Sequence, residues 1–319
     1  MRRLGNVLVT GGAGFIGSSL VRHLLRQEGV GKVLVLDKLT YAGNRANLDG
    51  PDRDPRFLFA EGDVNDRGLV SELMEREGIT GIFHLAAESH VDRSIEDSTD
   101  FIATNVCGTG TLLEVARAAG VPLLHCSTDE VYGSIESPGK AKEDAPLNPS
   151  SAYAASKAGA DLLCLAAART HRQDVIITRC TNNYGPRQYP EKLIPFFIKK
   201  ALRDEPLPLY GDGLQIRDWI HVDDHCRGML AAWKTGKVGQ IFHFSGHCER
   251  TNIGIARSIL DALRKPHSLL SHVDDRPGHD RRYSLDTEKS LMWFGWQPEV
   301  SFKEGFPDVV RALAAELRD

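Results

Sequence analysis

Three groups of residues in this sequence have the types and spacing needed for chemistry at an alcohol carbon. Tyr153 and Lys157, in the stretch YAASK, stand four apart, which on a helix puts a phenol and an ammonium on one face. The cation can then lower the phenol's pKa and hold a nearby sugar hydroxyl. Thr128 closes an apolar run and offers a hydroxyl to the oxygen that Tyr153 would deprotonate. Phenol, ammonium and hydroxyl by themselves imply only hydride transfer to or from an alcohol carbon. The two residues that follow, Asp129 and Glu130, add a further possibility. Adjacent carboxyl groups in different environments can divide labour, one protonated and one ionised. Elimination of water needs that division: a base for a carbon-bound proton and an acid for the departing hydroxyl. Taken singly, the acids read as an exposed loop and the Tyr–Lys pair as an ordinary helix surface; together they read as a site.

The third group is the loop TGGAGFIG, from Thr10 to Gly17, with glycines at Gly11, Gly14 and Gly17 between an apolar strand and a helical stretch. Glycine serves there for a tight turn, for close approach of backbone to a pyrophosphate, and for helix–strand packing; the helix N-terminus adds amide donors and partial positive charge. Strand before and helix behind are the context that turns a glycine-rich turn into a dinucleotide-binding expectation. Asp37 lies 20 residues past Gly17, where a carboxylate accepts hydrogen bonds from the adenosine ribose. A carboxylate repels a 2′-phosphate, so NAD is expected over NADP, although the neighbouring Lys38 weakens that repulsion. Asp63, in EGDV, is either a partner for the adenine amino group or a helix cap.

These groups need rigid elements to hold them. Short apolar runs at Val7–Val9, Val33–Leu36, Phe57–Phe59, Ile82–Leu85, Leu123–Cys126 and Val175–Thr178 alternate with helical spacing at Ile16–Arg26, Leu69–Arg76, Phe101–Ala119 and Tyr153–Arg172. Continuous apolar strands alternating with helices predict a parallel sheet buried on both faces, hence a doubly wound, Rossmann-like α/β domain over residues 1–180. Beyond it the texture changes: Pro186, Pro190, Pro195, Pro206 and Pro208 fall within 23 residues and aromatics rise. Residues 181–319 are expected to form mainly a smaller substrate-binding lobe, with a short helix near Leu193–Arg203 and with Ile241–Phe244 returning to the main sheet. A length of 319 residues suits such a two-part chain.

Composition bounds the partners. Apolar residues make up 41% and charged residues 26%, which excludes a largely disordered chain. The longest apolar run is the seven residues Leu162–Ala168, against ~18 for a membrane span. The formal charge of −4, with no block of like charges, argues against nucleic acid or a membrane surface as partner. No secretory signal is read, and the six cysteines are at least 16 residues apart without a Cys-x-x-Cys pair, so reduced thiols and a cytoplasmic location are expected. The spacings His221/His225 and His243/His247 invite a metal; His243, however, lies in a strand-like run, where four-residue spacing does not bring side chains together, and no metal is expected.

With these residues in view, the chain resembles the extended short-chain dehydrogenase/reductases and, among them, the dTDP-glucose 4,6-dehydratases. The resemblance runs from Asn6 to about Asp286 through LTYAGNRANL (from Leu39), HLAAESHVDRS (from His84), STDEVYG (from Ser127), NNYGP (from Asn182), PEKLIP (from Pro190), LYGDG (from Leu209), RDWIHVDDH (from Arg217) and DRPGHDRRY (from Asp275). TDEVYG together with PEKLIP is the selective part; Thr181, where the family has Ser or Cys, and the variable segment Ser134–Ala141 are the departures. The resemblance implies a redox-neutral cycle in which Tyr153 and Lys157 oxidise carbon 4 of the sugar, Glu130 removes the carbon 5 proton, Asp129 protonates the leaving 6-hydroxyl, and the hydride returns to carbon 6. It implies further that Phe15, Ile16, Asp37, Lys38, Leu39, Thr40, Asp63, Val64, Leu85, Ala86, Ala87, Thr104 and Asn183 line a tightly held NAD. For the sugar nucleotide it implies Ser89, Thr128, Asn182, Lys192 and Leu193, then Pro208, Leu209, Tyr210, Arg217, Asn252, Asp275, Arg276 and His279. The chemistry agrees in kind, since Lys192, Arg217 and Arg276 are cations suited to a pyrophosphate. A homodimer built on the two alanine-rich helices is also implied.

Other readings remain open at this level. A nucleotide-sugar 4-epimerase or decarboxylase shares the glycine loop and the Tyr–Lys pair but lacks the Asp–Glu pair. A 4,6-dehydratase of another nucleotide sugar, and a non-catalytic NAD-binding scaffold, complete the set.

Overall fold

The computed structural model describes residues 2–317. Its strands are β1 (Gly5–Thr10), β2 (Val30–Asp37), β3 (Phe57–Glu61), β4 (Gly81–His84), β5 (Leu123–Thr128), β6 (Val175–Cys180), β7 (Asn182–Tyr184), β8 (Leu207–Tyr210), β9 (Ile216–His221), β10 (Gln240–Phe244), β11 (Glu249–Thr251) and β12 (Leu270–Val273). The helices are α1 (Phe15–Leu25), α2 (Arg67–Arg76), α3 (Val91–Glu96), α4 (Thr99–Phe101), α5 (Gly108–Ala119), α6 (Ala152–His171), α7 (Leu193–Leu202), α8 (Val222–Thr235), α9 (Asn252–Leu263), α10 (Glu288–Phe294) and α11 (Phe302–Glu316). None of the described helices is long and apolar enough to cross a membrane.

Seven strands form one sheet in the order β10-β6-β5-β4-β1-β2-β3, every neighbouring pair parallel. The apolar runs seen in the sequence are these strands, and they read as continuous because helices cover both faces. Val7, Val9, Val33, Val35, Leu20, Leu24, Met229 and Trp233 pack on one face; Leu8, Leu34, Ile82, Leu112, Leu123 and Ile177 pack on the other. The sheet takes its last strand, β10, from beyond residue 180, and α8 packs beside α1 against the same face. Strand order reverses between β1 and β4, which opens a crevice at the carboxyl ends of the strands, where ligands bind in such sheets.

The remaining chain builds a smaller body from the three-stranded β11-β9-β7 and two-stranded β12-β8 sheets, with α7, α9 and α11 enclosing Tyr184, Phe197, Ile198, Ile255, Ile259 and Phe306. Its strands have only 3–6 residues, too short for alternation to have announced them.

One long element differs from the sequence reading. The helix expected over Phe101–Ala119 is interrupted: Ile102–Cys107 forms a π-helical stretch before α5 begins at Gly108. The reason is Asn105, whose side chain is drawn to the backbone of Glu88 and to Ser156 Oγ, while Thr109 Oγ1 donates to the Asn105 carbonyl at 2.6 Å. Such wide turns are a frequent mark of functional sites.

Candidate active site

A cleft crosses the switch point above β1 and β4. Gly11 takes φ +69°, and a Cβ there would lie 2.6 Å from the Ala86 nitrogen; a Cβ on Gly17 would collide with the Gly11 carbonyl. Gly14, by contrast, meets only the Gly11 oxygen at 3.3 Å and begins α1 with no side-chain cap and no acid in the first turn. The helix therefore presents bare amides and its positive end to the cleft, which suits a diphosphate. Asp37 is fixed by two backbone donors, Ala13 N and Leu39 N, each at 2.9 Å, and burial pushes its carboxyl upward against them. Phe15, Ile16, Thr40, Val64, Leu85, Ala86, Ala87, Thr104 and Asn183 line the same cleft. Leu39 does not; it turns through φ +53° and serves Asp37 through its backbone. Lys38 and Asp63 bind each other at 2.7 Å, and Asp63 also holds Asn65. The α2 cap is Asp66, which accepts from Leu69 N.

At the inner end of the cleft β5 delivers Thr128, Asp129 and Glu130, and α6 delivers Tyr153 and Lys157 one turn apart, with Ser151 capping the helix through Ala154 N. Thr128 Oγ1 donates to Asp129 Oδ1 at 3.2 Å and accepts from Glu130 N at 3.3 Å, so one hydroxyl orders both acids. The acids differ in environment. Asp129 is 3% exposed, its Oδ2 has no hydrogen-bond partner among the described residues, and burial followed by the Glu130 charge raises its carboxyl well above the usual range. Burial raises Glu130 too, but Arg217, Arg276 and Lys192 pull it back. The i, i+4 spacing put ammonium against phenol; the structure differs. Lys157 Nζ donates to the Cys126 carbonyl at 2.7 Å, while burial and then the Glu130 charge hold the Tyr153 phenol well above its ordinary value. Burial lowers the Lys157 ammonium.

A second cleft opens from the first, sharing Ser89, Glu130, Asn182 and Lys192. Glu130 thus stands where the two meet. Lys192, half-buried, donates to the Ser89 carbonyl at 2.6 Å, and desolvation lowers its ammonium. Arg217 lies 4.2 Å over the Tyr283 ring and donates to the carbonyls of Ile216 and Asp280. Arg276 reaches Asp92 at 3.3 Å, leaving its Nε without a partner among the described residues. Leu193, Pro208, Leu209, Tyr210, Asn252 and His279 line this cleft as well. Asp275 stands behind it, bonding His279 at 2.7 Å and Gln215 at 3.2 Å.

The four histidines that invited a metal do other things. His221 caps α8 through Asp223 N, His225 binds Asn183, His243 lies between Tyr132 and the Asp286 carbonyl, and His247 binds Thr287. Among the described residues no three His, Cys, Asp or Glu side chains converge on one point. The sequence reading missed Asn105, which ties the Glu88 backbone to Ser156 on α6; Tyr189 and Gln188, which line the first cleft; and Tyr283 in the second. Asn105 carried one signal, a polar residue inside an otherwise helical stretch.

The model of the GDP-mannose 4,6 dehydratase family matches residues 8–309. A dTDP-glucose 4,6-dehydratase from Actinoplanes sp. is 49% identical over 310 residues, covering 95% of this chain and 96% of that one. DesIV, a dTDP-glucose 4,6-dehydratase from Streptomyces venezuelae crystallised with NAD and dTDP bound, superposes with a TM-score of 0.94 at 51% identity over 98% of both chains. A UDP-glucose 4-epimerase from Thermus thermophilus, in complex with NAD, shares the fold at a TM-score of 0.89 but only 31% identity, over 97% of this chain and 98% of that one. The cleft over the switch point, the Tyr–Lys pair and the Asp–Glu pair thus sit in a chain that belongs to the nucleotide-sugar 4,6-dehydratase family, among the dTDP-glucose 4,6-dehydratases.

Proposed function

We propose that this protein is a dTDP-glucose 4,6-dehydratase, converting dTDP-D-glucose to dTDP-4-keto-6-deoxy-D-glucose and water. The observation that carries this reading is the unequal pair: a buried Asp129 whose carboxyl is raised well above the usual range by burial and the Glu130 charge, beside a Glu130 whose rise is opposed by three cations, Arg217, Arg276 and Lys192. NAD fits the first cleft, since Gly11, Gly14 and the uncapped start of α1 suit its diphosphate and Asp37 its adenosine ribose. The chemistry that NAD supplies when bound is uptake of a hydride from the sugar and its later return, so the cofactor ends as it began. Lys157 would hold the nicotinamide ribose, and Tyr153 would act in its phenolate form, having first given up its own proton, to take the proton of the 4-hydroxyl at its phenolic oxygen, with Thr128 Oγ1 sharing that proton. Once carbon 4 is a ketone, the carbon 5 proton is acidic and Glu130 removes it. Asp129 then gives its proton to the departing 6-hydroxyl. Lys192, Arg217 and Arg276 would hold the substrate diphosphate in the second cleft.

Incubation with dTDP-glucose should yield a product lighter by one water and carrying a 4-ketone, with no net reduced nicotinamide. UDP-glucose and GDP-mannose, run in parallel by mass spectrometry, test the base. A dTDP-galactose product would mean a 4-epimerase and overturn the reading.

The working unit is proposed to be a homodimer. Ile102, on the π-helical stretch, is 52% exposed, and Leu162 and Leu163 on α6 are 57% and 38% exposed, an apolar strip on the helices implied in pairing. The wild type should sediment as a dimer and the double variant Leu162→Glu/Leu163→Glu as a monomer; a monomeric wild type contradicts the proposal. Six free cysteines suit the cytoplasm as its place of work.

A further inference from the structure

Two walls of the cofactor cleft spring from opposite halves of the main sheet. Thr40, Ala42 and Gly43, after β2, line one; Gln188 and Tyr189, beyond β7, line the other. Each wall is a tight turn with fixed roots. Gly43 N donates to the Thr40 carbonyl at 3.1 Å, and on either side Leu39 N binds Asp37 and Asn44 N binds the Ala13 carbonyl. Across the cleft Lys192 N donates to the Tyr189 carbonyl at 3.0 Å, and Gln188 Nε2 binds the Asn183 carbonyl. The turns carry Tyr41 and Glu191 at their corners, and there the walls meet. The Tyr41 and Tyr189 rings stand edge to face, centroids 5.6 Å apart. Arg93, on α3, lies 4.0 Å over the Tyr41 ring and 3.5 Å from the Glu191 carboxylate, so one guanidinium touches both turns. Ser89 joins them a second time: its N–H donates to the Tyr41 hydroxyl at 3.4 Å and its carbonyl accepts from Lys192 Nζ. Tyr41 and Arg93 themselves stand outside both clefts.

We propose that Arg93 and Tyr41 are positioning residues that clasp the two walls together across the mouth of the cleft and keep the nicotinamide nucleotide captive between hydride uptake and hydride return. The inference rests on the reading of that cleft as an NAD site in a redox-neutral cycle. Between the two transfers the sugar is a ketone and its electrons reside on the nicotinamide. A reduced nucleotide that escaped then would leave the sugar two hydrogen atoms short, and the next cycle would need fresh NAD. The contacts suit a gate rather than a permanent wall. An edge-to-face ring pair, a cation over a ring and a half-exposed ion pair are each weak, so the clasp opens for exchange. Arginine fits the post because its planar guanidinium stacks on the ring while its edge reaches the carboxylate.

Stopped-flow fluorescence of NADH, on mixing with the full chain and on chasing the complex with excess NAD, tests this. Arg93→Ala and Tyr41→Leu should each release NADH about tenfold faster than the wild type. Uptake should quicken by a similar factor, because neither side chain touches the nucleotide. The double variant should be no faster than either single one, since both break the same clasp. During turnover of dTDP-glucose the variants should spill reduced nicotinamide into the ultrafiltrate, and the wild type should not. Release within about threefold of the wild type overturns the clasp, as does release that quickens while uptake does not, the signature of a direct binding contact. Arg93 is half-exposed, so its variant decides should Tyr41→Leu not fold. A wild type that binds no NADH refutes the cofactor reading, and the clasp with it; a wild type that holds NADH no longer than the variants do refutes the clasp alone.

Discussion

Tyr153→Phe is expected to lower turnover of dTDP-glucose by about 10³-fold while the protein keeps its fold and its nucleotide. The substitution removes one oxygen. The ring that remains keeps its edge contact with Phe101, whose centroid lies 6.4 Å away, so packing at the start of α6 survives. What is lost is the phenol that lines the inner end of the cleft with Thr128. No carbon 4 ketone can then form, and without the ketone the carbon 5 proton stays non-acidic, so both halves of the reaction fail together. In a single turnover at enzyme excess the variant should show no reduced nicotinamide, and the NAD released on denaturation should match the wild type. Turnover within tenfold of the wild type would contradict the assignment.

Glu130→Gln should cost about as much in product, again about 10³-fold, by stalling at a different point. Tyr153, Lys157 and Thr128 are untouched, so a single turnover should still show reduced nicotinamide appearing and then persisting. Asp129→Asn should also stall there, because its protonated carboxyl is the acid for the leaving hydroxyl. The pH dependence has a definite sign. Asp129 is raised well above its usual range by burial and then by Glu130, so as an acid it works at neutral pH and fails as pH climbs through its raised pKa. Elimination, measured after carbon 4 oxidation, should therefore fall on the alkaline side. In Glu130→Gln the neighbouring charge is gone and Asp129 loses part of that upward push. Absence of reduced nicotinamide in the Glu130→Gln single turnover would refute the division of roles.

Much of this was legible before any coordinates. The apolar runs of β1 to β6 announced themselves because strands buried on both faces need no polar positions. The glycine loop was legible because only glycine tolerates the approach to Ala86 and to the Gly11 carbonyl. Tyr153 and Lys157 followed from helical period, and Thr128, Asp129 and Glu130 from their place at a strand end. The π-helical stretch at Ile102–Cys107 was not legible, since it depends on Asn105 reaching a loop 17 residues earlier in the chain. Nor were the short strands of the smaller body, whose pairing is settled by partners far along the chain, such as Leu207 with Leu270.

The chain's own order of residues thus determined which groups are present and on which elements they ride, because period and turn chemistry are local. Only the folded molecule decided what each group is. Asp129 and Glu130 are neighbours in sequence and chemically alike, yet one is enclosed while the other faces Arg217, Arg276 and Lys192 from three separate segments. Lys157 turned to the Cys126 carbonyl rather than to its helical neighbour, and His225, read as a possible metal ligand, holds the Asn183 amide oxygen instead. Protonation follows solvation and field, and both are sums over groups that folding alone brings together.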